Sequence, residues 1–217
     1  MSSDAESLTP RKSPVQARAA ATVEALHVAT IQVLTREGLA RCTTTRIAER
    51  AGMSVGSLYQ YYPNRDALLA GVLERHLDGV AAAVDRACRG NHGKPVSGMV
   101  SGLVSAFLAV KLRNPEESKA LYAVAAERGG AELAARMQAR MMTAIATMLH
   151  SAPDAEFGDP ALTAAMLLSA MIGPVRLLLE GFAPPEFEAT LEQELVHLLT
   201  PYLQSHGRPG RRAAGDE

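Results

Sequence analysis

The sequence predicts an all-α fold of about nine helices. Ala, Leu and Met dominate the apolar set, and these are helix formers rather than strand formers. There is no Trp, and aromatic residues make up only 4% of the 217 positions. Apolar residues recur with a 3.6-residue period over long stretches, whereas no segment shows the period of two that a half-buried strand requires. With 47% hydrophobic and 21% charged residues the composition is that of an ordinary folded, soluble protein, long enough for one large helical domain or two small ones.

Residues 1–13 read as a disordered arm, in which Arg11 and Lys12 either touch phosphates or a minor groove or belong to a solvated tail. A first helix runs from about Val15 to Glu37, with Val23, Leu26, Thr30, Ile31 and Leu34 on one stripe. Gly38 ends it, and Leu39 can fold back on its last turn. Thr43 or Thr44 caps a second, short helix whose apolar face is Ile47, Ala48 and Ala51. Gly52 follows at the place where a helix ends in a left-handed residue, which Gly adopts at least steric cost. Met53, Leu58 and Tyr61 supply the apolar side of a third helix, and Ala48 is small where the two helices cross. Two short helices joined by a tight Gly-containing turn form a helix-turn-helix, whose second helix lies in the DNA major groove.

The exposed side of the third helix agrees with that reading. Ser54, Val55, Gly56, Ser57 and Gln60 sit there with the hydroxyl ends of Tyr59, Tyr61 and Tyr62, and no acidic residue falls between Gly52 and Asn64. Small residues allow close approach to base edges, while hydroxyls and amides bond phosphates and bases. Three of the chain's five tyrosines fall within these four positions.

Pro63-Asn64 stops the third helix, and Asn64 caps a long fourth one. Leu69, Val72, Leu73, Leu77, Val80, Val84 and Cys88 keep a regular helical period along it, as far as the break at Arg89-Gly90-Asn91-His92-Gly93. A rod that begins beside the DNA-reading unit and continues into the rest of the chain is well placed to transmit a shift. Five further helices follow at about Val96–Arg113, Glu116–Arg128, Ala131–His150, Pro160–Phe182 and Pro185–Ser205. The expected organisation is an arm (1–13), a DNA-binding domain (14–65), a ligand-binding and dimerisation domain (66–205) and a disordered tail (206–217).

Charge is divided unevenly along the chain. The net charge is −1, yet residues 1–65 hold eight Lys/Arg against five Asp/Glu, a net of +3. The remaining fourteen basic and eighteen acidic residues leave −4 on the rest. A basic head on an acidic body suits a protein that touches DNA at one end only. The N-terminus lacks the basic-then-apolar order of a signal peptide. The longest apolar run, Ala161 to Leu179, is interrupted by Thr163, Ser169, Gly173-Pro174 and Arg176, so no membrane span is expected and the predicted location is the cytoplasm.

The middle helices offer a pocket. Met99, Leu103, Phe107, Tyr122, Met137, Met141, Ile145 and Met166 are apolar and several are flexible, as in adaptable binding surfaces, although each could equally be core. Sparse aromatics favour a hydrophobic or mixed ligand, with Arg113, Glu127 and Arg176 available to orient a polar group or to remain as solvated charges. The last two helices can supply a dimer interface through Leu168, Met171, Val175 and Leu179 on one and Leu195 and Leu199 on the other, with about half of such residues expected to face their own core. Gly173-Pro174 should kink the first of these helices or leave a carbonyl unpaired.

The six histidines and two cysteines show no paired metal-ligand spacing, and no metal or cofactor is predicted. Cys42, at the start of the second helix, is either an oxidisable thiol with a lowered pKa or a passive small residue. No phosphate loop, nucleophile elbow or paired-carboxylate motif is present, so an enzyme is not expected.

The segment from Thr43 through Gly52, Leu58-Tyr59, Tyr62-Pro63-Asn64-Arg65 and Leu68-Leu69 resembles the N-terminal domain of the tetracycline-repressor (TetR) family, and the resemblance covers roughly residues 17–70. It implies a homodimeric transcriptional regulator, most often a repressor released from a (pseudo)palindromic double-stranded operator by a small molecule. It further implies that Thr44 binds phosphate, that Tyr59 and Tyr62 contact the DNA backbone, and that Ser54, Val55, Gly56, Ser57, Gln60 and Tyr61 face the groove. Arg65 stands where the family more often has Lys, and Arg46 is a further phosphate candidate or a solvated side chain.

Overall fold

The computed structural model describes residues 14–127 and 129–209. The arm expected at 1–13, the end of the sixth helix at Arg128 and the tail from residue 210 lie outside them. Nine α-helices occur among the described residues: α1 (Pro14–Glu37), α2 (Thr44–Arg50), α3 (Val55–Tyr59), α4 (Arg65–Gly90), α5 (Val96–Lys111), α6 (Pro115–Ala125), α7 (Gly130–His150), α8 (Pro160–Leu179) and α9 (Phe187–His206). A single 3-10 turn, Leu39–Arg41, separates α1 from α2. Two elements are not foreseen from the residue pattern: β1 (Ala155–Glu156) and β2 (Arg208–Pro209), which pair antiparallel. Two residues are too few to display a period. The described chain divides into two compact units, one ending at Val72 and the other starting at Leu73.

In the first unit, Leu26, Ala29, Val33 and Leu34 of α1 form the buried stripe, and Ile47, Ala48, Leu58, Leu68, Leu69 and Val72 complete the core. The links are made by local chemistry. The Thr43 hydroxyl accepts the Arg46 N–H and caps α2. Gly52 takes φ +69°, and the Met53 N–H donates to the Ala48 carbonyl at 3.0 Å, closing the turn. The Ser54 hydroxyl then caps α3 by accepting the Ser57 N–H at 3.0 Å. Asn64 Oδ1 does the same for α4, accepting the Ala67 N–H at 2.8 Å.

Arg65 holds the irregular stretch between α1 and α2. Its Nε–H donates to the Cys42 carbonyl at 2.6 Å and its Nη2 to the Leu39 carbonyl at 2.7 Å. The Leu39 carbonyl also accepts the Cys42 N–H at 3.2 Å, so the guanidinium adds a charged donor to the 3-10 turn and to the Cys42 carbonyl that follows it.

In the second unit, α5 packs on α8 and α9, α8 on α7 and α9, and α6 on α7 and α8. Val80, Val84 and Cys88 of α4 join the same core. Gly130 at the start of α7 is required by proximity: a Cβ there would lie 2.7 Å from the carbonyl oxygens of Val124 and Ala125. The Asp154 carboxylate caps α5, accepting the Val96 N–H at 3.0 and 3.2 Å from its two oxygens. Arg140 pairs with Asp78 at 3.3 Å and Asp85 at 2.6 Å, and Arg136 with Glu74 at 3.4 Å, joining α7 to α4. Pro174 lies inside α8 and Pro201 inside α9; Pro174 has no N–H to offer the Ala170 carbonyl.

By length and composition α8 could cross a membrane. Its buried residues, among them Leu167, Leu168, Met171, Val175 and Leu179, are spent on this core instead. That corrects the expected dimer interface. Leu168, Met171, Val175 and Leu179, with Leu195 and Leu199 of α9, are all buried within their own chain. Both helices are apolar on two sides, and the more regular stripe is the one the chain's own core takes.

Cys42 and Cys88 are free and buried. Burial pushes Cys42 up to about 11 against the lowering pull of Arg65, and pushes Cys88 up to about 12 with help from Asp85. Of the two readings of Cys42, the passive small residue is the one this supports, since desolvation outweighs the helix start. At pH 8 native protein should show no fast-reacting thiol towards a disulfide reagent, and both should appear on unfolding in guanidinium. Thiol release before unfolding would contradict this. Arg65→Ala should cost about 1–3 kcal/mol of unfolding free energy, because two backbone carbonyls lose charged donors; urea denaturation of the full chain measures it.

Candidate nucleic-acid interface and ligand cavity

On the first unit the fully buried Leu58 anchors α3 and leaves the rest of that short helix at the surface. Ser54, Gly56, Tyr59, Gln60 and Tyr61 are exposed, and Thr44, Val55 and Ser57 are half-buried. Tyr59 is 49% exposed, and its hydroxyl lies 3.4 Å from the Thr44 hydroxyl, so two residues from different helices present adjacent oxygens. This follows from the capping choice. Thr43 is spent on the start of α2, and Thr44 is left to face Tyr59. Ser54 and Ser57 bond each other at 2.9 Å while Ser54 caps α3, so both hydroxyls are already oriented. Gly56 presents backbone only; a Cβ there would meet nothing nearer than the Ser54 hydroxyl at 3.7 Å.

Three of the expected contacts are committed to other work. The Tyr62 hydroxyl is hydrogen-bonded to His27 Nε2 at 2.6 Å, and its ring edge lies where a Cβ on Gly71 would fall, 3.1–3.2 Å away. Tyr62 therefore ties α1 to the start of α4 rather than extending the exposed tyrosine pair. Arg65 is bound to backbone carbonyls as described, with Nη1 3.5 Å from Asp66. Arg46 forms an ion pair with Glu37. Sequence spacing offers no sign of His27, which lies 35 residues from its partner.

The second unit contains a cavity of about 290 Å³. Leu73, His76, Leu77 and Val80 of α4 line it, with Phe107 and Lys111 of α5 and Ser118, Leu121, Tyr122 and Ala125 of α6. Ala126 follows α6, Ala134, Gln138 and Met141 come from α7, and Ile172 and Arg176 from α8. Of the residues expected from sequence, Phe107, Tyr122, Met141 and Arg176 are there. Met99, Leu103 and Ile145 are packed in the core away from it, because helical period reveals a face but not how far along that face a void opens. Met137 packs beside the core, and Met166 is half exposed on the side of α8 opposite the buried stripe.

Apart from Arg176, the charged and imidazole lining is not among the residues expected from sequence, although Lys111 follows Phe107 by four residues and so shares its face. Lys111 is only 6% exposed. Its ammonium lies 4.5 Å from the centroid of the Tyr122 ring and has no hydrogen-bond acceptor among the described residues. Burial pulls its pKa down to about 8, partly offset by Glu117. His76 is also lowered, first by burial and then by the charge of Lys111; its Nδ1 lies 3.3 Å from Glu117 Oε1, and its buried Nε2 has no partner. Arg176 stands over the opposite part of Tyr122, 5.7 Å from the ring centroid, and bonds Glu180 at 2.6 Å. The Ser118 hydroxyl donates to the Lys111 carbonyl at 2.8 Å.

Known proteins place both units. Residues 26–72 match the family of bacterial regulatory proteins, tetR family, and residues 95–203 match the tetracyclin repressor-like C-terminal domain. Over 59 residues the chain is 36% identical to the HTH-type transcriptional repressor KstR of Mycolicibacterium smegmatis, a stretch covering 27% of this chain and 29% of that protein. The chain thus spans less than a third of that repressor in the aligned region. Among solved structures, a protein assigned to the TetR family from Mesorhizobium loti superposes with TM-score 0.73 at 18% identity, covering 88% of this chain and 99% of the other. The fatty acid degradation regulator FadR from Bacillus halodurans gives 0.67 at 15%, covering 90% and 99%. FadR from Bacillus subtilis, solved in complex with stearoyl-CoA, gives 0.67 at 12%, covering 82% and 97%. With a helix-turn-helix ahead of a matching C-terminal domain, the chain belongs to the TetR family of transcriptional regulators.

Proposed function

We propose that the protein is a cytoplasmic, homodimeric repressor that reads a (pseudo)palindromic operator and leaves it when a small, largely apolar molecule enters the cavity. The observation that carries the DNA-reading half is the α2–α3 surface, where Thr44 and Tyr59 present adjacent hydroxyls beside an exposed Gln60. In this reading the two hydroxyls hold one phosphate and fix the docking, while Gln60 and Tyr61 reach base edges and Gly56 lets the backbone approach. Tyr62 and Arg65 shape the unit from inside.

The ligand-responsive half rests on the cavity. Helix α4 starts at Arg65, within the first unit, and contributes Leu73, His76, Leu77 and Val80 to the lining. A molecule that displaces those side chains shifts α4 and with it the separation of the two recognition helices, which must match half-sites about 34–36 Å apart. A catalytic reading finds less support, since the cavity's only serine donates to a backbone carbonyl rather than facing a base.

For the dimer, the apolar residues left at the surface of the last two helices replace the buried ones expected from sequence. Leu162, Met166 and Leu177 of α8, Phe182 just beyond it and Leu198 of α9 are all exposed. Phe182 at 74% and Leu198 at 59% are large apolar side chains a monomer gains nothing by showing. Two helices from each copy would close a symmetric four-helix interface.

Fluorescence anisotropy with DNA flanking the protein's own coding region tests the reading directly; no salt-sensitive, sequence-selective binding would end it. Tyr59→Phe should weaken binding by roughly three- to tenfold with little change in stability. Tyr62→Phe should do the reverse, keeping affinity and losing about 1 kcal/mol of stability. In sedimentation, Leu198→Glu should shift the dimer towards monomer, whereas Leu199→Ala should instead cost about 2–5 kcal/mol of core stability.

A further inference from the structure

The cavity is lopsided in a way that describes its ligand. Most of its wall is apolar, yet one end holds the ammonium of the buried residue Lys111, with no hydrogen-bond acceptor among the described residues, and the buried His76 Nε2, with no partner among them. A buried charge is normally paired or solvated by protein groups, and the face of Tyr122 with the more distant pull of Glu117 answers only part of that need. The neighbouring charges narrow the choice. Glu117 is engaged by His76 Nδ1 and by Asn114 Nδ2, and Glu180 by Arg176. With Nδ1–H turned to Glu117, neutral His76 offers Nε2 as a bare lone pair, so Lys111 is the open donor. His76 becomes a second one when it takes up a proton, an arrangement that suits an anion and disfavours a cation.

We infer that the ligand is a small monocarboxylate with an apolar body, its carboxylate held by the Lys111 ammonium and by Nε2–H of a His76 that gains a proton on binding, and its body laid against Phe107, Leu121 and Met141. This rests on the reading of the cavity as the effector site and deepens it. One ammonium and one imidazole match a single negative charge better than a phosphate dianion, and the Arg176 charge is already offset by Glu180, which its Nε–H bonds. A volume of about 290 Å³ lies at the lower end of small-molecule pockets, which leaves room for a short aliphatic or single-ring acid. The carboxylate favours the charged forms of both bases, so binding takes up protons. Besides Lys111 and His76, the titratable and charged groups facing this end are Glu117, Arg113, Tyr122 and Arg176.

The test is isothermal titration of the full chain with octanoate, octanamide, octanol and octylphosphonate, and with phenylacetate against phenylacetamide. At least one acid should bind about tenfold or more tighter than its amide, the usual worth of a charged hydrogen bond. Lys111→Met should abolish that preference while changing amide affinity by no more than about twofold, and His76→Leu should reduce it. Runs in buffers of different ionisation enthalpy at pH 8 should register net proton uptake with the acid and none with the amide. Thermal unfolding confirms that both variants fold, and replacing a buried ammonium by Met should not lower the midpoint. Equal affinity for acid and amide, no acid binding at millimolar concentration, or a preference that survives in Lys111→Met overturns the inference, as does a stronger preference for octylphosphonate. Operator binding measured on the same samples separates the two readings. Acid binding that leaves operator affinity unchanged removes the release mechanism and keeps the carboxylate. Release by the amide as readily as by the acid removes the carboxylate and keeps the mechanism.

Discussion

The complete burial of Leu58 is the constraint on which the DNA-reading surface depends. Helix α3 is five residues long, far below the length at which a helix holds itself together in water. Its direction is therefore imposed from outside, by one leucine in the core, by the Ser54 cap and by the left-handed turn at Gly52. The side chains available to DNA are those left over once these demands are met. Ser54 and Ser57 are bonded to each other and Thr43 is used as a cap, while Tyr59, paired with Thr44, stays exposed with Gln60 and Tyr61. Such a surface is preorganised because its anchors are not themselves contacts.

In the second unit a different balance prevails. Helices α5, α8 and α9 form a dense apolar core, and close fits such as Gly130 against the end of α6 leave little slack. The void opens at the C-terminal end of α5, where the stripe Met99, Leu103, Phe107 ends in Lys111. A lysine on a core-facing stripe sets a charge at the end of that space, met by the Tyr122 ring and the charge of Glu117 but by no hydrogen-bond acceptor among the described residues. Burial pulls the lysine's pKa down, and Glu117 offsets only part of that.

Much of the architecture is legible in the order of residues alone. Gly52, Pro63-Asn64 and the Pro153–Asp159 loop mark where helices must end, and the observed helices begin and end within a few residues of those places. The family resemblance and the all-α fold follow from such local signals. Partnership across distance is not legible in the same way. Three adjacent tyrosines look alike in sequence, yet Tyr62 alone meets His27. Arg65 looks like a phosphate ligand until the carbonyls of Leu39 and Cys42 are in view. On α8 and α9 both faces are apolar, and only packing decides that Leu168 and Leu199 are core while Leu162 and Leu198 stay outside.

The cap that Asp154 places on α5 has a consequence for the order in which the chain acquires structure. The N-terminus of α5 waits for a residue 58 positions later, the same helix packs on α9, and β1 pairs with residues at 208–209. Contacts of such sequence separation form slowly, since long loops must close before they contribute. The first unit is complete by Val72, partway along α4. On a ribosome it can assemble early, while α5 stays uncapped and its apolar length uncovered until the last helix has emerged. The second unit is thus the segment most exposed to misassembly during synthesis.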